Sequence, residues 1–324
     1  MSYRIFVTGA GLAEEAQRHL QREGCVVQLG EPGDTSAGIA LRLAEFHADA
    51  LIVRGGAITA EVLDATPDLR AICKHGVGTD NIDVAAATAR RIPVAFTPLA
   101  NYESVAEHTL AMILALLRRV TIQDRRVRSG VFDKKGYDGV ELRGKTLGLI
   151  GYGKSARRLA QLVAPFEADI IVYHPSQTKE ILPDRVAKAQ RAEDVFHAAD
   201  ILSLHCPLTH ETRHLVDDHA IGLMKRGAYL VNTARGSLVS EPDLVQALRD
   251  GRLGGAALDV YDVEPPAPDD PLFALDNVVF STHVAGTSDN SFTRMSMASA
   301  DNILAILRGE RLDSNSLVNG EIYC

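Results

Sequence analysis

The chain of 324 residues is too long for one ordinary hydrophobic core and predicts two α/β domains. Its 46% hydrophobic and 23% charged residues are those of an ordinary globular protein, which excludes the disordered and fibrous classes. A net charge of -8, from 42 acidic against 34 basic residues, with no basic run longer than pairs such as Arg118-Arg119, argues against nucleic acid as a partner.

Met1 to Arg4 lead directly into the apolar strand Ile5-Phe6-Val7, which leaves no room for a charged segment and a cleavable apolar stretch. A helix follows over 13–22, a strand at 26–27, a helix over 37–46 and a strand over 51–53, and this alternation predicts parallel strands joined by helices. Arg54 ends the last of these beside Gly55 and Gly56, a cation at a strand tip with room around it. It is either a solvated surface arginine or a contact for an anion. The first region closes near 92–96, and after Pro98 a long helix is expected to run to about residue 128. Its apolar stretch 110–117 is far shorter than the roughly 20 residues of a membrane span and is one buried helix face, so no membrane partner is expected. Cys25, Cys73, Cys206 and Cys324 show no C-x-x-C spacing, so neither a disulfide framework nor a metal site is expected and a cytoplasmic setting fits.

From Lys145 a second series begins, with strands at 146–150, 170–173, 201–204, 228–231, 256–260 and 278–280; six is the count of a complete dinucleotide-binding sheet. A proline-rich acidic stretch over 262–271 is a loop, and a last helix is expected over 291–307. The first strand of this series runs into Gly151-Tyr152-Gly153-Lys154-Ser155-Ala156, a G-x-G-x-x-A pattern in a strand-turn-helix context. Gly151 permits the tight turn, Gly153 lets a pyrophosphate approach the backbone, and Ala156 allows close packing. The helix start then offers N–H groups to phosphates. The alternative is a purely structural turn.

The second strand ends in His174, where an acidic residue would bond the ribose 2′-hydroxyl of NAD. Without that carboxylate a 2′-phosphate is not repelled, and Ser176, Gln177 and Lys179 could donate to it, so NADP is a candidate beside NAD. Alternatively His174 is an exposed strand-end residue over which adenosine stacks.

Three later strands end in groups suited to hydride transfer on a 2-oxo acid: Arg235 after 228–231, Glu264 after 256–260 and His283 after 278–280. The reaction needs a cation to hold the carboxylate and polarise the ketone, and an acid to protonate the oxygen. Arg235 and His283 have these chemistries, and Glu264 beside the histidine would keep it protonated.

With these motifs in this order, from about Leu51 to Gly286, the chain resembles the D-isomer-specific 2-hydroxyacid dehydrogenases. The matching segments are His75 to Asp83, Asn101 with Ser104 to His108, the glycine loop, His205 to Thr209, Asn232 to Gly236, Asp259-Val260 with Glu264-Pro265, and His283 to Gly286. The resemblance implies an α/β fold of two doubly wound parallel-sheet domains. The second, a Rossmann-type dinucleotide-binding domain over 103–290, is inserted into a flavodoxin-like substrate domain formed by 1–102 and 291–324. It implies Arg235, Glu264 and His283 as the catalytic set and the Val77-Gly78 backbone as a carboxylate holder. Asp259 would bind the nicotinamide carboxamide, and Cys206, Pro207, Thr209, Thr233, Ala234, His283 and Gly286 belong to the cofactor side. A homodimer is implied as well. Around Arg54 the chain resembles phosphoglycerate dehydrogenases, whose matching arginine contacts the substrate phosphate, in a short form without a regulatory domain. An NADP-leaning hydroxypyruvate or glyoxylate reductase is the alternative within the family. Corepressors of similar scaffold, which sense dinucleotides rather than turn over substrate, are the alternative outside it.

Overall fold

In the computed structural model, which describes residues 2–9, 11–175 and 182–323, the chain divides into two compact units, Met1–Asn101 with Thr287–Cys324, and Tyr102–Gly286. The first begins with β1 (Arg4–Val7), α1 (Glu14–Arg22), β2 (Val26–Leu29), α2 (Ser36–Phe46) and β3 (Ala50–Val53). It continues through α3 (Ala60–Asp64), β4 (Ala71–Lys74), α4 (Val84–Ala89) and β5 (Val94–Ala95). Its five strands are parallel in the order β2-β1-β3-β4-β5, a doubly wound order of flavodoxin type. All four residues of β3 are buried, as a strand covered on both faces requires. Successive side chains alternate between two cores: Ile5, Val7 and Ile52 enter one, Phe6, Leu51 and Val53 the other.

The second unit opens with α5 (Tyr102–Leu117) and α6 (Val120–Arg128), so the long helix expected to reach residue 128 is broken. The break lies at Arg119, whose backbone turns left-handed at φ 50° while its guanidinium pairs with Asp138. Beyond it α6 buries none of its residues. Then follow β6 (Thr146–Ile150), α7 (Lys154–Val163), β7 (Asp169–Tyr173), β8 (Val186–Lys188), α8 (Ala192–Ala198) and β9 (Ile201–Leu204). The unit closes with α9 (Asp218–Leu223), β10 (Ala228–Asn232), α10 (Glu241–Arg249), β11 (Leu253–Leu258) and β12 (Val278–Phe280). The sheet has seven parallel strands rather than the expected six, in the order β12-β11-β10-β9-β6-β7-β8. The extra strand, β8, is three residues long with Ala187 and Lys188 exposed, so no apolar run announces it. The order reverses between β6 and β9, and parallel sheets bind ligands at the carboxyl ends of the strands flanking such a reversal.

The chain then returns to the first unit through α11 (Asp289–Leu307), which starts two residues before the expected helix because Ser288 caps it, its hydroxyl accepting from Ser291 N at 3.2 Å. Among the described residues no helix is long and apolar enough to cross a membrane.

Candidate active site

The strand-end residues of the second unit stand along one edge of its sheet, because parallel strands share a carboxyl end. At about 4.8 Å per strand, the six strands from β12 to β7 span roughly 24 Å, room for an extended dinucleotide. At the end of β6, Gly151 has φ 93° and a Cβ there would lie 2.6 Å from the His205 carbonyl oxygen, so only glycine fits the turn. A Cβ on Gly153 would meet nothing within 4 Å, which leaves open space over the start of α7, where no side chain caps the helix. Such a start accepts phosphate oxygens, so the residues present fit a dinucleotide. Lys154 and Ser155 open the helix, whereas the Tyr152 ring is buried in the core with the Arg157 guanidinium over it at 4.8 Å. His174 follows β7; Ser176, Gln177 and Lys179 lie outside the described residues.

After β9, Cys206 is half-buried and its thiol is pushed up to about 11 by burial, against the opposing pull of its backbone hydrogen bond. Pro207 and Thr209 form a turn closed by Thr212 Oγ1, which donates to the Pro207 carbonyl at 2.8 Å. After β10, Asn232 is buried and ties the next turn at both ends, accepting from Ala234 N at 3.0 Å and donating to the Arg235 carbonyl at 2.8 Å. Thr233 Oγ1 bonds Thr109 Oγ1 at 2.9 Å. Gly236 follows because a Cβ there would overlap the Tyr261 backbone, 2.0 Å from its carbonyl oxygen. The half-buried Arg235 guanidinium donates to the Ala234 carbonyl at 2.7 Å.

His283 Nδ1 stands 2.7 Å from Glu264 Oε2, and Glu264 Oε1 accepts from Tyr261 N at 3.1 Å. Burial pushes the Glu264 carboxyl up, but the His283 hydrogen bond, the Tyr261 N–H and the charges of His283 and Arg235 outweigh it and hold the group below its ordinary value. Arg235, Glu264 and His283 are thus electrostatically linked. Asp259, fully buried, is already engaged: Oδ1 accepts from Ser281 Oγ at 2.6 Å and Val284 N at 2.9 Å, and Oδ2 from Ala285 N at 2.8 Å. Gly286 follows directly.

In the first unit, Arg54 Nη1 donates to the Gly11 carbonyl at 2.7 Å and the guanidinium lies 5.0 Å over the Phe292 ring. Burial lowers its pKa, and among the described residues no carboxylate pairs with it. Phe292 also packs against His75, 5.5 Å between ring centres. Val77 is exposed and Gly78 half-buried after β4. His108 Nε2 lies 3.0 Å from Ser281 Oγ. The sequence pointed to neither Phe292 nor this pair, for each makes its contacts with residues remote in the chain; only the place of His108 in the Ser104 to His108 motif could have marked it.

A family model described as D-isomer specific 2-hydroxyacid dehydrogenase, NAD binding domain, matches residues 110–285. The chain is 39% identical over 272 residues to a glyoxylate reductase of Thermofilum pendens, covering 82% of this chain and 79% of the relative. It is 35% identical over 299 residues to a D-3-phosphoglycerate dehydrogenase of Archaeoglobus fulgidus, covering 92% of this chain but only 56% of that longer relative. A crystal structure of the TT0316 protein from Thermus thermophilus aligns with a TM-score of 0.88 at 35% identity, covering 97% of this chain and 99% of that one.

Proposed function

The chain belongs to the D-isomer specific 2-hydroxyacid dehydrogenases, and from that premise we propose that Arg235, Glu264 and His283 carry out its hydride-transfer chemistry on a small 2-hydroxy or 2-oxo acid. The observation that carries this reading is the 2.7 Å contact between His283 Nδ1 and Glu264 Oε2. It leaves Nε2 of the imidazole to exchange a proton with the substrate oxygen, while the carboxylate stabilises the charged ring. The residues of the β6–α7 turn would hold a nicotinamide cofactor, which would donate the hydride in its reduced form or accept it in its oxidised form. In the reducing direction, Nε2 gives its proton to the carbonyl oxygen, and Arg235 holds the substrate carboxylate and polarises the ketone. In the first unit, the Val77-Gly78 backbone after β4 is proposed as a carboxylate-binding segment. Gly151, Gly153, Lys154 and Ser155 hold the pyrophosphate, Tyr152 adding only its backbone. His174 is assigned to the adenosine ribose, and Cys206, Pro207, Thr209, Thr233, Ala234 and Gly286 to the cofactor path; Asp259, fully buried with both carboxylate oxygens engaged, serves the cofactor side by ordering the turn 283–286 rather than by direct contact.

The substrate class follows from Arg54. A half-buried guanidinium with no carboxylate partner among the described residues favours an anion, so a three-carbon acid with a second anionic or polar group at C3, such as 3-phosphoglycerate, is proposed. A glyoxylate or hydroxypyruvate reductase is the second reading, favoured by the 79% coverage of the glyoxylate reductase. A cytoplasmic homodimer is part of the proposal: the free thiols Cys25, Cys73 and Cys206 suit a reducing setting, and Val120, Val127, Val131 and Phe132, the last 92% exposed, are apolar residues on and after α6 that a second copy would cover. Steady-state kinetics with glyoxylate, pyruvate, hydroxypyruvate and 3-phosphohydroxypyruvate, each with NADH and NADPH, test the reading. No oxidation of either cofactor with any of them would overturn it.

A further inference from the structure

We propose that His108 and Ser281 are positioning residues for His283, acting through the buried carboxylate of Asp259. His283 has φ 54°, the left-handed region that a histidine backbone seldom occupies. Three consecutive N–H groups hold it there, all bonded to one residue: His283 N donates to the Asp259 carbonyl at 2.7 Å, Val284 N to Oδ1 and Ala285 N to Oδ2. The last two converge on the carboxylate, as the N–H groups of a nest do on an anion. Asp259 is 0% exposed, so no solvent competes for its oxygens.

The carboxylate is itself steered from α5. Ser281 Oγ donates its single proton to Asp259 Oδ1, so the same oxygen accepts from His108 Nε2 at 3.0 Å. This sets the proton of His108 on Nε2, which also lies 3.6 Å from Asp259 Oδ1. Removing the imidazole leaves the serine oxygen without its donor and free to turn toward Met112 Sδ, 3.5 Å away. The carboxylate then loses its orientation, and the turn that presents His283 to Glu264 slackens. Misplacement of a reacting group by 1 Å can lower a rate about 100-fold, so a partial loosening predicts about 10-fold.

The inference rests on His283 being the proton-transfer group, and the experiment separates the two. His108→Ala, His108→Gln and Ser281→Ala are compared by single-turnover hydride transfer, with the amplitude of that turnover counting active sites, and by the NADH dissociation constant. In the ligand-free protein, NMR follows the His283 Nδ1–H held by Glu264. The expected result is a rate per active site about 10-fold lower in the two alanine variants, with NADH affinity within about twofold. The Nδ1–H signal should broaden or be lost. The glutamine variant, whose amide can donate to Ser281, should recover most of the rate. Normal rates per site in both alanine variants overturn the proposal, as does an NADH dissociation constant that rises as much as the rate falls. Should His108→Ala not fold, Ser281→Ala decides. If His283→Ala is inactive while these variants are normal, only the positioning role falls; if His283→Ala is itself near normal, the assignment of His283 falls first.

Discussion

Glu264 and His283 stand 19 positions apart in the chain and meet at 2.7 Å, and their roles make separate demands on kinetics. His283→Ala should lower kcat by at least about 100-fold, the range for loss of general acid-base catalysis, measured at saturating substrate. Because the Glu264 carboxyl lies below its ordinary value, it stays ionised throughout the neutral range and is neutralised only as the pH falls through that depressed value. Glu264→Gln removes the partner that favours the charged imidazole, so the alkaline limb of the reduction profile should move to lower pH; an unmoved profile takes Glu264 out of the set. Arg54→Ala should raise KM for 3-phosphohydroxypyruvate by roughly 10-fold or more relative to its effect on pyruvate, the loss of one charged hydrogen bond of about 1.5–3 kcal/mol. Equal effects on both substrates would show that Arg54 does not select between them. His174→Asp should shift the kcat/KM ratio toward NAD, since a carboxylate there repels a 2′-phosphate. A wild-type preference for NAD of several hundred-fold would already contradict that assignment. The sequence could single these residues out because each follows an apolar strand of the sheet. No such pattern marks the contacts of His108, Ser281 and Phe292, whose partners are set by packing alone.

At the scale of the element, the turn between β6 and α7 is the most constrained part of the second unit. Gly151→Ala would place a methyl 2.6 Å from the His205 carbonyl at a backbone angle of φ 93°, so both the strain and the clash act on one peptide. Thermal melting should show a fall in stability on the order of 1–3 kcal/mol, with weaker NADH binding by fluorescence titration. A variant with wild-type melting and affinity would mean that the turn is not held as described. The alternation of strands and helices was readable from period and punctuation, and β6, β7, β9, β10, β11 and β12 all appear near their expected places. Two features were not. The three-residue β8 gains its place from pairing with β7 rather than from its own composition. The break at Arg119 follows no glycine or proline; it is accompanied by the ion pair with Asp138, a contact that helical periodicity cannot foresee.

For the molecule as a whole, each unit contains a histidine whose pKa falls to about 4, the buried His75 in the first and the half-buried His205 in the second. Burial is the main cause for both; the neighbouring Arg54 and Lys74 charges add to it for His75, against its backbone hydrogen bond. Both rings have hydroxyl partners, Ser296 at 2.9 Å and Ser203 at 2.9 Å. A folded-state value below the ordinary 6.5 means that the unfolded chain binds protons first, so stability is lost as the pH falls from about 6.5 toward 4. For His75 the loss is on the order of 3 kcal/mol by pH 4. Calorimetry from pH 7 to 4.5 should show Tm falling in both units, and His205→Asn should flatten the slope of the second; a constant Tm would refute the burial argument. The sequence by itself determined the fold class, the order of elements and the strand-end groups, because apolar period and glycine punctuation are local, and a parallel sheet carries every strand's last residue to one edge. Only the tertiary structure decided that Asp259 gathers its donors from 281–285, that His283 is held left-handed, and that the Arg54 guanidinium rests on Phe292. Hydrogen-bond direction and burial are properties of atoms brought together from distant parts of the chain, and no local pattern encodes them.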